Sequence, residues 1–208
     1  MKIYLVRHGM TKGNREKRYV GRTDERLLES EADALKKESP PLVDRLYVSP
    51  MQRCVETAEY MWNKVQGRKN QIELVTVPDL SECDFGMFEY KNYQELTGIK
   101  EYDDWVLSGG TLPFPGGESV EDFKKRCQRS FYEILSGEWN TGNTDAKIGF
   151  VIHGGTIMAV LDAFSSPHRD YFEWQVKNRE GYVCDAVFQE DNLFLKNIGK
   201  TGGGRWNG

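Results

Sequence analysis

Leu5 to Thr11 reads "LVRHGMT", and Phe150 to Thr156 reads "FVIHGGT". Each stretch runs an apolar segment into His-Gly, and each leads into a helical pattern or a turn. In an open parallel sheet, ligands bind outside the carboxyl ends of the strands. Two strands ending in His8 and His153 therefore bring two imidazoles to one pocket if they neighbour each other. Gly9 and the Gly154-Gly155 pair would let the backbone turn sharply there and let a ligand approach N–H groups.

Outward from these two stretches, short β-type runs recur at 3–6, 46–48, 72–77, 148–152, 182–188 and 193–198. Helical patterns separate most of them. Residues 51–65 carry a one-face stripe of Met51, Cys54, Val55, Ala58, Met61, Trp62 and Val65. Residues 120–135 repeat the pattern, with Ser119 and Asp122 forming a capping-box-like start. Residues 156–164 give a third helix and 27–37 a weaker fourth. Alternating strands and helices predict an α/β three-layer sandwich with a mostly parallel sheet. The last two runs, split by "QEDN", form a hairpin and give that sheet an antiparallel edge. One domain over 1–208 is expected. Within it, 92–118 reads as a small lid insertion and the glycine-rich 199–208 as a flexible tail.

The chain has 208 residues, a net charge of −4, 29% charged residues and 38% apolar residues. That balance disfavours nucleic acid as a partner, because phosphate backbones reward a basic excess. No run approaches the roughly 20 apolar residues of a membrane span. Residues 3–6 are too short for a signal-peptide core. A cytoplasmic protein without membrane contact is expected, and a homodimer is allowed. The four scattered cysteines predict buried free thiols rather than disulfides or a zinc site.

Arg7 adjoins His8, and Arg53 lies in the first turn of a helix that comes after the strand 46–48. Guanidinium groups clamp phosphate bidentately and stay charged at any working pH. Two arginines converging on two histidines make an oxyanion-transfer site. Ester cleavage also needs an acid for the leaving group. "DLSECDFGMFE" offers Asp79, Glu82, Asp84 and Glu89, and the residues alone do not choose among them. Other phosphate chemistries fail on spacing. No cysteine has arginine six residues on, Phe194 stands where a P-loop needs glycine, and three histidines are too few for a metal phosphatase. His168 reads as a surface residue, and Asp103-Asp104 as a solvated helix face.

"LVRHGMTKGN", "VSPMQRCVETA", "LSECDFGMFE", "PGGES" and "FVIHGGTI" together resemble, in order, the motifs of the histidine phosphatase superfamily, the phosphoglycerate mutase-like proteins. The resemblance spans residues 1 to about 165. It implies that His8 is the nucleophile and takes the phosphoryl group as phosphohistidine. Arg7, Arg53 and His153 would bind the phosphoryl oxygens, with Asn14 helping. Thr11, Gly154 and Arg22 are added as substrate-binding residues. Glu82 would be the general acid, then the base for water. A backbone carbonyl would fix the His8 tautomer. No metal and no cofactor are expected.

Within that family, the short segment from Cys83 to Gly116 and the reading His153-Gly154-Gly155 favour a phosphatase over a mutase. The spacing and "PGGES" look most like the alpha-ribazole phosphatase branch and broad small-molecule phosphatases. The substrate expected is a small phosphate ester. A non-catalytic phosphate-binding module is the alternative of another class. Lys17, Arg18, Arg22 and Arg26 could meet a second anionic group or form a solvated loop. Tyr102, Trp105 and Phe114 could stack on a leaving group, although a lid core of their own is the simpler reading.

Overall fold

The computed structural model describes residues 1–62, 72, 74–202, 204 and 206. In chain order it contains β1 (Lys2–Arg7), α1 (Lys12–Arg15), α2 (Glu29–Leu35), β2 (Arg45–Val48), α3 (Gln52–Trp62), β3 (Leu74–Thr76), α4 (Tyr93–Leu96), α5 (Lys100–Leu107), α6 (Val120–Asn140), β4 (Lys147–Ile152), α7 (Gly154–Phe164), β5 (Glu180–Gln189) and β6 (Asn192–Gly202). Short 3₁₀ turns lie at Pro78–Leu80, Gly86–Phe88 and Tyr171–Trp174. The last part of the helix expected over 51–65, residues 63–65, lies outside the described residues. So does residue 73 of the strand expected over 72–77.

The six strands form one sheet in the order β3-β2-β4-β1-β5-β6. The first four are mutually parallel, and β5 and β6 add an antiparallel edge. β1 is central and reads as an unbroken apolar run because both its faces are covered. Ile3 and Leu5 pack with Phe131 and Leu135 of α6 and with Ile157 and Val160 of α7. Tyr4 and Val6 point the other way, into a cluster with Leu35 of α2 and Cys54, Ala58 and Met61 of α3. This period-two alternation makes the three layers. Ser119 caps α6 through the Asp122 N–H, as its sequence predicts.

The insertion 92–118 contains α4 and α5. It packs Leu96, Tyr102 and Phe114 against Phe88 and against Phe123 and Cys127 of α6. The flexible tail expected from residue 199 needs correction. Gly199 to Gly202 continue β6, opposite Val183 to Glu180. Trp206 is buried, and its indole N–H donates to Glu38 Oε2 at 2.8 Å. Glycine content there suggests mobility, but strand pairing holds Gly199 to Gly202 and the indole anchors Trp206. Residues 203, 205, 207 and 208 lie outside the described residues. All four cysteines are buried free thiols. No helix among the described residues is long and apolar enough to cross a membrane.

Candidate functional site

Equal strand register brings the two histidines together. β1 and β4 pair with Arg7 opposite Ile152, and the His8 N–H donates to Ile152 O at 3.0 Å. The two imidazole rings meet edge to face with centroids 5.2 Å apart. His8 is 3% exposed and His153 is fully buried.

His8 Nδ1 lies 2.7 Å from the carbonyl of Gly9. A carbonyl can only accept, so Nδ1 carries the proton and Nε2 carries the lone pair. Burial, and then the Arg53 and Arg7 charges, push the His8 pKa well below its ordinary value. The neutral ring with a free Nε2 is the form a nucleophile needs. His153 is also held neutral by burial, Arg53, His8 and Arg7. Its Nε2 lies 2.7 Å from Ser49 Oγ, and the Cys54 thiol packs beside the ring.

The two arginines come from different elements. Arg7 ends β1 and donates from Nη1 to Val176 O at 2.7 Å. Arg53 lies in the first turn of α3 and is fully buried. It donates from Nη1 to Thr23 O at 2.8 Å and from Nη2 to Gly21 O at 2.9 Å. Neither has a carboxylate within ion-pair distance among the described residues. Each also keeps a buried Nε with no hydrogen-bond partner. Two orphan donors on charged groups at one place are costly unless an anion meets them. Oxyanion donors converging on one spot stabilise a transferring phosphoryl group.

The structure separates the four candidate acids. Asp79 pairs with Arg129, and Asp84 pairs with Arg22. Glu89 accepts from the N–H groups of Gly21 and Thr23. Glu82 feels the Arg53 and Arg7 charges. Its Oε1 accepts from Cys83 N at 3.0 Å and its Oε2 from Gly155 N at 3.1 Å. Burial raises its pKa, and the two N–H groups and two arginines pull the other way. The net direction is upward, toward the range a general acid uses.

Gly155 is needed for space rather than for a special turn. A Cβ there would sit 2.3 Å from Glu82 Oε1, and one at Gly154 would reach the Arg7 guanidinium at 3.4 Å. Neither residue nor Gly9 has positive φ, so the sharp-turn reason expected for them is corrected. His153 is the N-cap residue of α7, which directs that helix N-terminus at the site.

Other expected residues differ in placement. Asn14 lies at the site's edge, its Oδ1 accepting from Thr11 N and from Asn178 Nδ2. Thr11 is fully buried, and its hydroxyl caps α1 by accepting from Asn14 N at 3.3 Å. It therefore positions the loop that follows His8. The Arg22 side chain is 74% exposed and tied to Asp84, so it lies on the rim. His168 is exposed, as expected.

Two contributors lie outside the expected site residues. Asn178 Nδ2 donates to His8 O, Gly9 O and Asn14 Oδ1 at 3.1, 3.3 and 3.1 Å. It thus clamps the turn whose carbonyl sets the His8 tautomer. Ser49 reads as a helix entrance, yet its hydroxyl holds His153. An asparagine before a strand has no distinctive spacing, so only the fold identifies Asn178; Ser49 lies in the "VSPMQRCVETA" stretch, but that pattern does not assign it to His153. Among the described residues, no group of three or more His, Cys, Asp or Glu could hold a metal ion.

Beside Arg7, Glu82, Gly154 and Gly155 opens a cavity of 340 Å³, walled mainly by aromatic side chains. A polar recess lies on the other side of Glu82, lined by Arg22, Asp84, Glu118 and Arg126.

Comparison with known proteins agrees with this geometry. A putative phosphoserine phosphatase 2 of Hydrogenobacter thermophilus is 28% identical over 77% of this chain and 76% of its own length. A phosphoglycerate mutase-like protein 4 of Arabidopsis thaliana is 28% identical over 77% of this chain and 69% of its own. An alpha-ribazole phosphatase from Shigella flexneri shares the fold, with a TM-score of 0.74 at 21% identity over 94% of this chain and 95% of its own. A phosphoglycerate mutase from Thermus thermophilus superposes with a TM-score of 0.64 at 26% identity, over 93% and 96%. The sequence model of the histidine phosphatase superfamily (branch 1) matches residues 3–199, and the chain belongs to that family.

Proposed function

We propose that the protein hydrolyses small phosphate monoesters through a phosphohistidine on His8. The observation that carries this reading is the neutral His8, with Nδ1 tied to Gly9 O, beside two arginines whose Nε atoms lack partners. His8 Nε2 attacks phosphorus and the ester P–O bond breaks. Glu82 gives its proton to the departing oxygen. A water then attacks the phosphohistidine, Glu82 takes the water's proton, and the P–N bond breaks to restore His8. Arg7, Arg53, His153 and Asn14 hold the phosphoryl oxygens throughout. The covalent route splits one hard displacement into two easier ones. No metal or cofactor takes part, and the cytosol is the place of action.

Alpha-ribazole phosphate is one candidate substrate, since a protein of that activity shares the fold. Mutase chemistry is the second reading, because several relatives are named phosphoglycerate mutases or probable ones. Against it, the cavity beside Glu82 has no charged lining residue other than Arg7 and Glu82. A carboxylate or second phosphate would find no dedicated counter-ion there. The purified chain should hydrolyse an aryl phosphate in EDTA, with the activity absent in His8→Ala. Isomerisation of phosphoglycerate faster than its hydrolysis would overturn the phosphatase reading. Phosphate binding without turnover of any ester would favour a binding module.

A further inference from the structure

We infer that the part of the substrate released on cleavage is a flat, uncharged, largely apolar body, seated in the aromatic cavity beside Glu82. This rests on the phosphomonoesterase reading and gives it a substrate class. The leaving oxygen must come within hydrogen-bond reach of its acid. The leaving group therefore departs into a space that Glu82 borders. Glu82 borders two such spaces, the aromatic cavity and the polar recess.

The polar recess is already neutralised. Its arginines are paired, Arg22 with Asp84 at 2.9 Å and Arg126 with Glu118 at 2.8 Å. An anionic group entering it would have to break one of these pairs, and a neutral apolar group would find charged walls. A third groove, with Lys17, Lys177 and Lys200, adjoins Arg7 but not Glu82. It lies away from the acid that must protonate the leaving oxygen.

The aromatic cavity has the opposite character. Its floor is Arg7, Glu82, Gly154 and Gly155, all claimed by the phosphoryl group or its acid. Its walls include rings from the lid (Trp105 and Phe114), α6 (Phe123) and the segment after α7 (Tyr171 and Phe172). Trp105 and Phe114 lie with centroids 5.2 Å apart at 32°, and Phe114 meets Phe85 edge to face at 5.0 Å. This packing fixes the ring planes before any ligand arrives, so little ordering cost remains on binding. The cavity's 340 Å³ is within the usual range of small-ligand sites and suits a bicyclic ring or a body of similar size. The bare glycines of the floor let such a ring sit close to the phosphoryl group. Phe172, 63% exposed, stands at the mouth with its ring edge to face on Tyr171. A phenyl ring left so open contributes little to the core, and it lines the cavity.

The test compares esters whose alcohols have similar acidity, so that intrinsic reactivity does not decide the ranking. Specificity constants are measured for 2-naphthylmethyl phosphate, ethyl phosphate and 2-phosphoglycolate with the full chain, Trp105→Ala and Phe172→Glu. The naphthylmethyl ester should exceed the other two by roughly 10- to 100-fold. Both variants should lose most of that preference while keeping activity on ethyl phosphate. Phe172 is at the surface, so that variant keeps the fold even if Trp105→Ala loosens the lid. Equal constants for the three esters, or the highest constant for 2-phosphoglycolate, would overturn the inference and leave the phosphatase reading intact. No turnover of any ester would overturn both.

Discussion

The two His-Gly turns begin alike and end in different hydrogen bonding. At the first, the imidazole is tied through Nδ1 to its own backbone, which leaves Nε2 with a lone pair. At the second, Nε2 is held by a side chain, Ser49, and the ring lies under complete burial. The first turn opens into a loop clamped by Asn178 and by Thr57, which accepts from Gly9 N at 2.9 Å. The second opens directly into α7, whose N-terminus adds a positive end to the site. The residue after each strand is the same. The chain beyond it is a loop in one case and a helix in the other, and the proposed mechanism gives His8 the attack and His153 the holding.

The largest contrast concerns the two rings themselves. His8→Asn should lower kcat by about 10⁴-fold or more, because the covalent route disappears. His153→Asn should lower it by about 10²- to 10³-fold, the usual cost of one oxyanion donor. Steady-state kinetics on one ester would show this, and equal losses would break the distinction between nucleophile and ligand.

The glycines of the two turns should differ by a smaller margin. Gly155→Ala places a methyl group against Glu82 Oε1 and should cost about 10²-fold in kcat. Its loss should be smaller on an aryl phosphate, whose leaving group needs little protonation. Gly9→Ala meets only side-chain tips of Leu27, Leu35 and Glu31 at 3.1 to 3.3 Å, and should cost less. A larger loss at Gly9 would show that the first turn, not the second, sets the acid's position.

The two supporting side chains are expected to matter less. Asn178→Ala loosens the turn around His8, and Ser49→Ala frees His153. Each should cost about tenfold, as with groups that orient a catalytic ligand. Asn178→Ala should also shift the acid limb of the pH–rate profile, since it disturbs the carbonyl that holds His8 Nδ1–H. Ser49→Ala should lower the rate with that limb unmoved.

The smallest effect is on stability. Both histidines are held well below their ordinary pKa, so the unfolded chain binds more protons below about pH 6.5. Stability should therefore fall as pH drops through that point. Glu82, whose pKa is raised, gives the opposite slope and offsets part of it. A melting temperature lower at pH 5 than at pH 7.5 by about 5 °C is expected. His8→Asn should remove about half the difference.

How much of this the residues disclose depends on periodicity. β1, β4 and their helices are legible because β1 is buried on both faces and the helices on one. That places Arg7, His8, Arg53 and His153 at the same end of the sheet. Glu82 is not separable from its neighbours by pattern, because it lies in irregular chain between 3₁₀ turns, where no repeat assigns a side-chain direction. In the structure it lies under the Arg53 and Arg7 charges and against Gly155 N, while Asp79 and Asp84 pair with Arg129 and Arg22. Asn178 and Ser49 act across 170 and 104 positions of chain, a separation no local pattern encodes. The tail misleads in the other direction. Its glycines suggest freedom, but Gly202 closes onto Glu180 in the β5–β6 ladder.

The central claim is that His8 carries the phosphoryl group between the two steps. Rapid acid-free quenching of the Glu82→Gln variant with an excess of aryl phosphate, then peptide mass spectrometry, reads this directly. Glu82→Gln slows the hydrolysis of the intermediate and so lets it accumulate. The expected result is one acid-labile, base-stable phosphoryl group on the peptide that contains His8, absent in His8→Asn. A phosphoryl group on His153 or any other residue, or turnover of the ester with no labelled peptide at any time, would contradict the account.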